Sequence, residues 1–179
     1  MNSDEVLQLG NPLLRMISLP IAEKDFGTAE LKKLEFLLFR VLEEKNGLGL
    51  AAPQIGISKR IIVFGMKRHR HLAAIPFTVL INPRFEPLCE VIEEEYEGCL
   101  SVGPLRGKVP RYKSIAYKGY DAEGNLIERE VSDLHARIIQ HESDHLNGII
   151  FLDKIKDHSS LGFTEELVRS GALVPRRQD

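Results

Sequence analysis

The sequence predicts an α+β chain whose strands pair mainly antiparallel, and three observations carry that prediction. Short β-branched runs recur in the middle of the chain, at 60–64 and 77–81 among others. The gaps between them hold no helix long enough for the crossover that a parallel pair requires. Two amphipathic helical segments flank this strand-rich middle, one on each side.

The first helix is predicted in TAELKKLEFLLFRVLEEKNG at 28–47. Leu31, Leu34, Leu38, Val41 and Leu42 recur three and four apart and form one apolar stripe, while Lys32, Lys33 and Glu35 face away. Thr28 is the expected N-cap and Asn46-Gly47 the stop. Strands follow at 60–64 and 77–81, the second expected to end at Asn82-Pro83. The run 113–131 reads as two strands around a turn from Asp121 to Asn125. A second helix is expected over 132–147, with Ser132 as its cap, Asp133 near its positive end and Gly148 as its left-handed stop. Leu134, Ile138, His141 and His145 step by four, three and four, so the core-facing stripe runs into two histidines. From about 157 the tail is expected to be irregular, apart from a short helix at 164–169 capped by Thr164.

With 179 residues and no linker or repeat, positions 1–179 are expected to form one domain and to act as a monomer. Lys plus Arg number 24 and Asp plus Glu 26, a net charge of -2, so no general polycation is available for DNA or anionic lipid. Two cysteines exclude a disulfide-dense scaffold but leave room for a metal ligand or a reactive thiol. The start lacks a basic stretch followed by a long apolar run, and the apolar pieces are too short to span a bilayer. A cytoplasmic protein with no membrane partner is the expectation.

His141-Glu142-Ser143-Asp144-His145 is an HExxH motif. On a helix its imidazoles lie one turn apart and can reach one ion, with Glu142 beside it as a general base. The plainer alternative is a pair of hydrogen-bonded core histidines. A catalytic ion needs a third protein ligand, and spacing alone leaves it open. Phe151 stands where one zincin pattern has a histidine, and His158 falls in an expected loop. Glu165 or Glu166 would suit another zincin pattern, and Cys99 offers a thiolate. The loop GLGLAAPQIG at 47–56 holds the letters of a dinucleotide fingerprint, but it follows a helix and Pro53 interrupts it. No acidic residue lies between Glu44 and Glu86 to hold a ribose, so that function is excluded. Gln54 is left as either a satisfied core amide or a ligand-facing donor.

Taken together, GLGLAAPQIG at 47–56, EGCLS at 97–101 and QHESDH at 140–145 resemble the three signature segments of the peptide deformylase family. The likeness extends through LGNPLLR near the start, INP at 81–83, VPRY at 109–112 and HLNGIIFLDKI at 145–155. It implies a peptide-deformylase-like α+β fold, with mainly antiparallel strands packed around a central helix carrying HExxH. It also implies that Cys99, His141 and His145 ligate one divalent metal ion, Fe2+ in the cell, with Zn2+, Ni2+ or Co2+ able to substitute. Glu142 would be the acid–base residue, and Gln54 and the Leu100 N–H would bind the formyl oxygen. Gly47 and Gly49 would pair with the substrate backbone. Glu97, Gly98, Arg106, Leu134, Ile138 and His141 would complete the substrate side, with an apolar wall around Leu134 and Ile138. Arg111 would pair with Asp144 as structural support.

The implied substrates are N-formyl-methionyl peptides and nascent chains, with formate released and a transient contact with the ribosome. Two departures stand out. Gly103-Pro104 reverses the usual proline-first order, and the end of the chain does not resemble the long basic terminal helix of some members. The basic stretch 67–71 reads as a solvated turn. The rival functions are a zincin-like endopeptidase using Glu165 or Glu166 and a non-catalytic metal module that binds formylated peptides.

Overall fold

A computed structural model describes residues 5–68 and 72–174. His69 and His71 of the basic stretch lie outside the described residues. Helix α1 spans Ala29–Glu44, and Thr28 caps it by accepting from the Leu31 N–H at 3.4 Å. Strands β1 (Gly49–Ala51), β2 (Ile61–Met66), β3 (Ile75–Pro87), β6 (Ser114–Tyr120) and β7 (Leu126–Ser132) form a five-stranded sheet in the order β1-β2-β3-β6-β7. Strands β4 (Ile92–Glu97), β5 (Leu105–Tyr112) and β8 (Gly162–Phe163) form a second sheet in the order β4-β5-β8. Each of these strand pairs is antiparallel. Helix α2 spans Asp133–His145 and helix α3 Thr164–Arg169.

The period-two alternation of β2 and β3 explains where the helices sit. Ile61, Val63, Val79 and Ile81 point to one face and pack with Leu31, Leu38, Val41 and Leu42 of α1. Ile62, Phe64 and Leu80 point to the other and pack with Ala136, Ile138 and Ile139 of α2. The two helices therefore cover opposite faces of the larger sheet. The other side of α2 meets the smaller sheet, where the Gln140 amide accepts from Tyr112 N–H at 3.0 Å and donates to Tyr112 C=O at 2.9 Å. A third cluster, including Leu14, Val102, Val109 and Phe151, closes around Cys99.

Four local expectations need correction. Strand β3 does not stop at Asn82-Pro83 but continues to Pro87. Its register shifts between Ile81 and Arg84, and such a bulge admits a proline without a ladder N–H. Asn82 takes a φ of 51° there, and its side chain bonds both backbone groups of Ile21. Ser132 makes no side-chain cap to α2, because its hydroxyl turns to the Asp133 carboxylate and its backbone still pairs with Ser114. Thr164 does not cap α3 either: its hydroxyl donates to Pro104 C=O at 2.6 Å. The tail from 157 is also more regular than expected. Its Gly162 and Phe163 pair with Arg106 and Leu105, while Ser160 accepts from the Lys108 N–H.

Candidate metal centre

The buried stripe of α2 places His141 and His145 one turn apart, with ring centroids 5.2 Å from each other. Cys99 follows β4 and brings its Sγ to 3.2 Å from His145 Nε2. One ligand atom from each of Cys99, His141 and His145 lies within 4.8 Å of the others, and all three residues are buried. The Nδ1 of His141 lies 2.8 Å from a Glu97 oxygen, which leaves its Nε2 for an ion. One soft thiolate and two imidazoles suit a divalent transition metal. Glu165 and Glu166 stand exposed on α3, the latter paired with Arg169, and neither joins this cluster.

The charges around the histidines explain their titration. Burial by itself would lower His141, but hydrogen bonds to Cys99 and Glu97 hold it well above the ordinary imidazole range. Burial and the neighbouring His141 charge push His145 well below it. Binding an ion at the Nε2 of His141 would therefore displace a proton, as metal–ligand linkage requires. Glu97 is held far below the usual carboxylate range despite its burial, by hydrogen bonds from His141 and Arg111.

Glu97 was expected among the substrate-side residues. Its carboxylate is instead taken up within the protein, accepting from Arg111 at 2.9 and 3.0 Å and from Arg137 at 2.8 Å as well as meeting His141. Arg111 also donates to Asp144 at 2.5 Å, so the pair expected from VPRY and HExxH is present and is one arm of a larger network. Lys154 lies 3.6 Å from the same aspartate.

Glu142 is buried, and its Oε2 has no hydrogen-bond partner among the described residues. Burial pushes its pKa up to about 7, into the range of a general acid–base group near neutrality. The glycine loop makes room for it: a Cβ on Gly49 would overlap the Glu142 carboxylate. A Cβ on Gly47 would crowd Leu42 and Leu100.

Gln54 is both a satisfied amide and a group that faces the thiol. Its Oε1 accepts from Ala51 N–H at 2.8 Å, which forces Nε2 toward Ser101 Oγ at 3.2 Å and Cys99 Sγ at 3.5 Å. Leu100 is half-buried beside Cys99, and its carbonyl accepts from Gln8 at 3.1 Å. Gly98 lies under the Arg106 guanidinium, where a Cβ would collide. Arg106 donates to the carbonyls of Gly103 and Leu105. With Gly103 at a φ of 73°, the reversed Gly103-Pro104 order is accommodated by a left-handed glycine, and the next carbonyl anchors Thr164.

Ile138 packs into the sheet-facing cluster with Leu134 at its margin. Leu134 also borders a groove of about 180 Å³ with Glu93, Glu95, Tyr112, Lys113, Asp133 and Arg137. That groove is charged and shares no residue with the metal cluster. A wider hollow of about 410 Å³ on α1, bounded by Phe36 and basic residues, shares no residue with the metal cluster. Three residues were not anticipated in their present roles: Glu97 behind His141, Arg137 beside Glu97, and Ser101 beneath Gln54. The available signals were weak. Arg137 stands one turn before His141, and Glu97 stands on β4 just before Cys99.

The Polypeptide deformylase family model matches residues 3–160. Peptide deformylase 1 of Nitrosomonas europaea is 45% identical over 165 residues, covering 90% of this chain and 93% of that protein. Peptide deformylase 1 of Bordetella pertussis is 44% identical over the same length and coverage. Among solved structures, the class I type b peptide deformylase of Acinetobacter baumannii with bound Met-Ala-Ser superposes with a TM-score of 0.78 at 34% identity. That match covers 84% of this chain and 96% of the other.

Proposed function

The chain belongs to the polypeptide deformylase family, and on that premise we propose how its own residues carry out the reaction. It is a metal-dependent hydrolase that removes the N-terminal formyl group from new polypeptides, releasing formate. In our reading Cys99, His141 and His145 hold the ion, Fe2+ in the cell, with Zn2+, Ni2+ or Co2+ able to take the same ligands. The mixed sulfur and nitrogen donor set is compatible with each of them. When bound, the ion supplies Lewis-acid polarisation and makes a water more acidic.

Glu142 takes a proton from the attacking water and returns it to the departing amine. Gln54 Nε2 and the Leu100 N–H donate to the formyl oxygen as negative charge gathers on it, and that preorganised donation lowers the barrier. The fixed Oε1–Ala51 hydrogen bond keeps the Gln54 amide pointing the right way. Gly47 and Gly49 leave the strand backbone open to a peptide, and Arg106 covers Gly98 on the opposite side. Ile138 and Leu134 support the helix wall. Arg111, Asp144 and Glu97 hold the ligands in place and do not touch substrate. The charge network engaging Glu97 supports that assignment over a substrate contact.

N-formyl-methionyl peptides are the proposed substrates, a reading supported by Met-Ala-Ser in the Acinetobacter relative. Action as a monomer belongs to the same reading, and formylated nascent chains point to the cytoplasm. No helix among the described residues is long and apolar enough to cross a membrane. The single observation that carries the proposal is a Glu142 oxygen with no partner among the described residues, buried beside the Cys99, His141 and His145 cluster. The test is incubation of metal-loaded protein with formyl-Met-Ala-Ser, measuring formate and internal cleavage products. Formate without internal cleavage is expected; internal cleavage would favour an endopeptidase, and neither product would favour a binding module.

A further inference from the structure

We propose that Arg137 is a positioning residue for the metal centre: it clamps β4 to α2 and holds Glu97 against His141. The inference rests on the three-ligand reading above. Cys99 and the histidines reach the centre from different layers, Cys99 from the end of β4 and the histidines from α2. Among the described residues, strand β4 is the outer strand of its sheet and pairs only with β5. The distance from Cys99 to the imidazoles therefore depends on what fastens β4 to the helix.

Arg137 supplies that fastening from the helix side. Its Nη1 donates to Glu97 Oε1 at 2.8 Å and to Val109 C=O at 2.8 Å, and its Nη2 donates to Glu93 C=O at 2.7 Å. One side chain thus grips both ends of β4 and the middle of β5. Arg137 lies one turn before His141, so both side chains meet the Glu97 carboxylate from the same helix face. The Arg137 side chain is 11% exposed, which leaves little water to substitute for these bonds.

Arg111 also reaches α2, through Asp144, but it shares only part of this role. It belongs to β5, directly opposite Glu93 in the ladder, and its bonds to Glu97 close within one sheet. Without Arg137, Glu97 Oε1 would keep Arg111 alone and two strand carbonyls would lose a charged donor. The His141 ring and the end of β4 would both gain freedom. A planar fork can serve acceptors in several directions at once, whereas an ammonium is a single point, so lysine should restore the contact only in part.

The test loads the full chain with cobalt(II) and follows two quantities: the thiolate-to-cobalt absorption band and the rate of cobalt release to a chelator. Removing an outer partner of a ligand typically costs about 10–100-fold in metal affinity, and Arg137→Met should show that loss as a correspondingly faster release of cobalt. Its thiolate band should weaken or shift, and Arg137→Lys should fall between it and the parent. Gln140→Met is the control, because Gln140 also ties α2 to β5 but does not touch Glu97. It should lower the melting temperature while leaving the band in place. If Arg137→Met does not fold, Arg137→Gln carries the same comparison. An unchanged band and release rate in the Arg137 variants would overturn the inference. So would an equal change in the Gln140 variant, since the effect would then be general helix docking. A parent protein that fails to bind cobalt would overturn the three-ligand reading itself.

Discussion

The two helices that cover the five-stranded sheet meet it through the same apolar pattern, but only α2 has a polar side packed on the smaller sheet. On one face α1 lays down Leu31, Leu38, Val41 and Leu42, and the cluster there is apolar throughout. On the other, α2 begins in the same way with Ala136, Ile138 and Ile139, then carries Gln140 to His145 into a wholly buried polar run. Burial drives the first contact without direction, so its substitutions should cost stability alone. The bonds from the polar side of α2 to the smaller sheet are directed and charge-assisted, so disturbance there should reach the chemistry. A helix can thus be anchored by its apolar half while its polar half is held for function.

The largest effect should come from the polar half. Glu142→Gln removes the proton acceptor but no ligand, so metal content should stay near the parent value. Turnover should fall by about 10²–10⁴-fold or more. Metal analysis with a steady-state formate assay checks this, and an ordinary kcat would break the proposed role of that face.

Next comes the ligand set. Cys99→Ser replaces a thiolate by a hydroxyl that is far harder to deprotonate, so it should retain less metal after dialysis at neutral pH. The same measurement on Glu165→Ala and Glu166→Ala should give parent values. Full retention by the serine variant would take Cys99 out of the centre.

A direct contrast between faces follows from two truncations. Arg111→Ala strands Glu97 and Asp144, and breaking a buried pair of this kind typically costs roughly 3–5 kcal/mol. Leu38→Ala leaves a cavity under α1, typically costing about 2–5 kcal/mol. Denaturant curves should show comparable losses, but only the Arg111 variant should release its metal more readily. Equal metal retention would erase the distinction between the apolar contact of α1 and the polar contact of α2 with the smaller sheet.

The smallest effect concerns His135, whose ring lies tilted against Phe64 and Tyr117 on the sheet side of α2. Burial lowers its pKa from 6.5 to about 4. The unfolded chain therefore binds this proton first as pH falls, and His135 subtracts stability progressively between about pH 6.5 and 4. Its partial exposure keeps the effect modest. His135→Phe should give a shallower loss of stability over that window in urea titrations, with no change near pH 8. An unchanged slope would remove the titration from this part of α2.

Local order was legible where the physics is local. The stripe of α1, the Thr28 cap and the Asp121–Asn125 turn depend on residues within a few positions of each other, and they form as read. HExxH offered two candidate ligands and a candidate base for the same reason, because four residues make about one helical turn. Spacing could not choose the third ligand, since Cys99 and His145 stand 46 positions apart and are joined only by folding. Family resemblance pointed to Cys99 before geometry brought it there. The continuation of β3 past Asn82-Pro83 depends on Ile21, 61 positions away. The role of Glu97 depends on a histidine 44 positions away and on two arginines that no periodicity links to it. A buried carboxylate must find its counter-charges wherever packing brings them, and a linear chain does not record which distant residues will arrive.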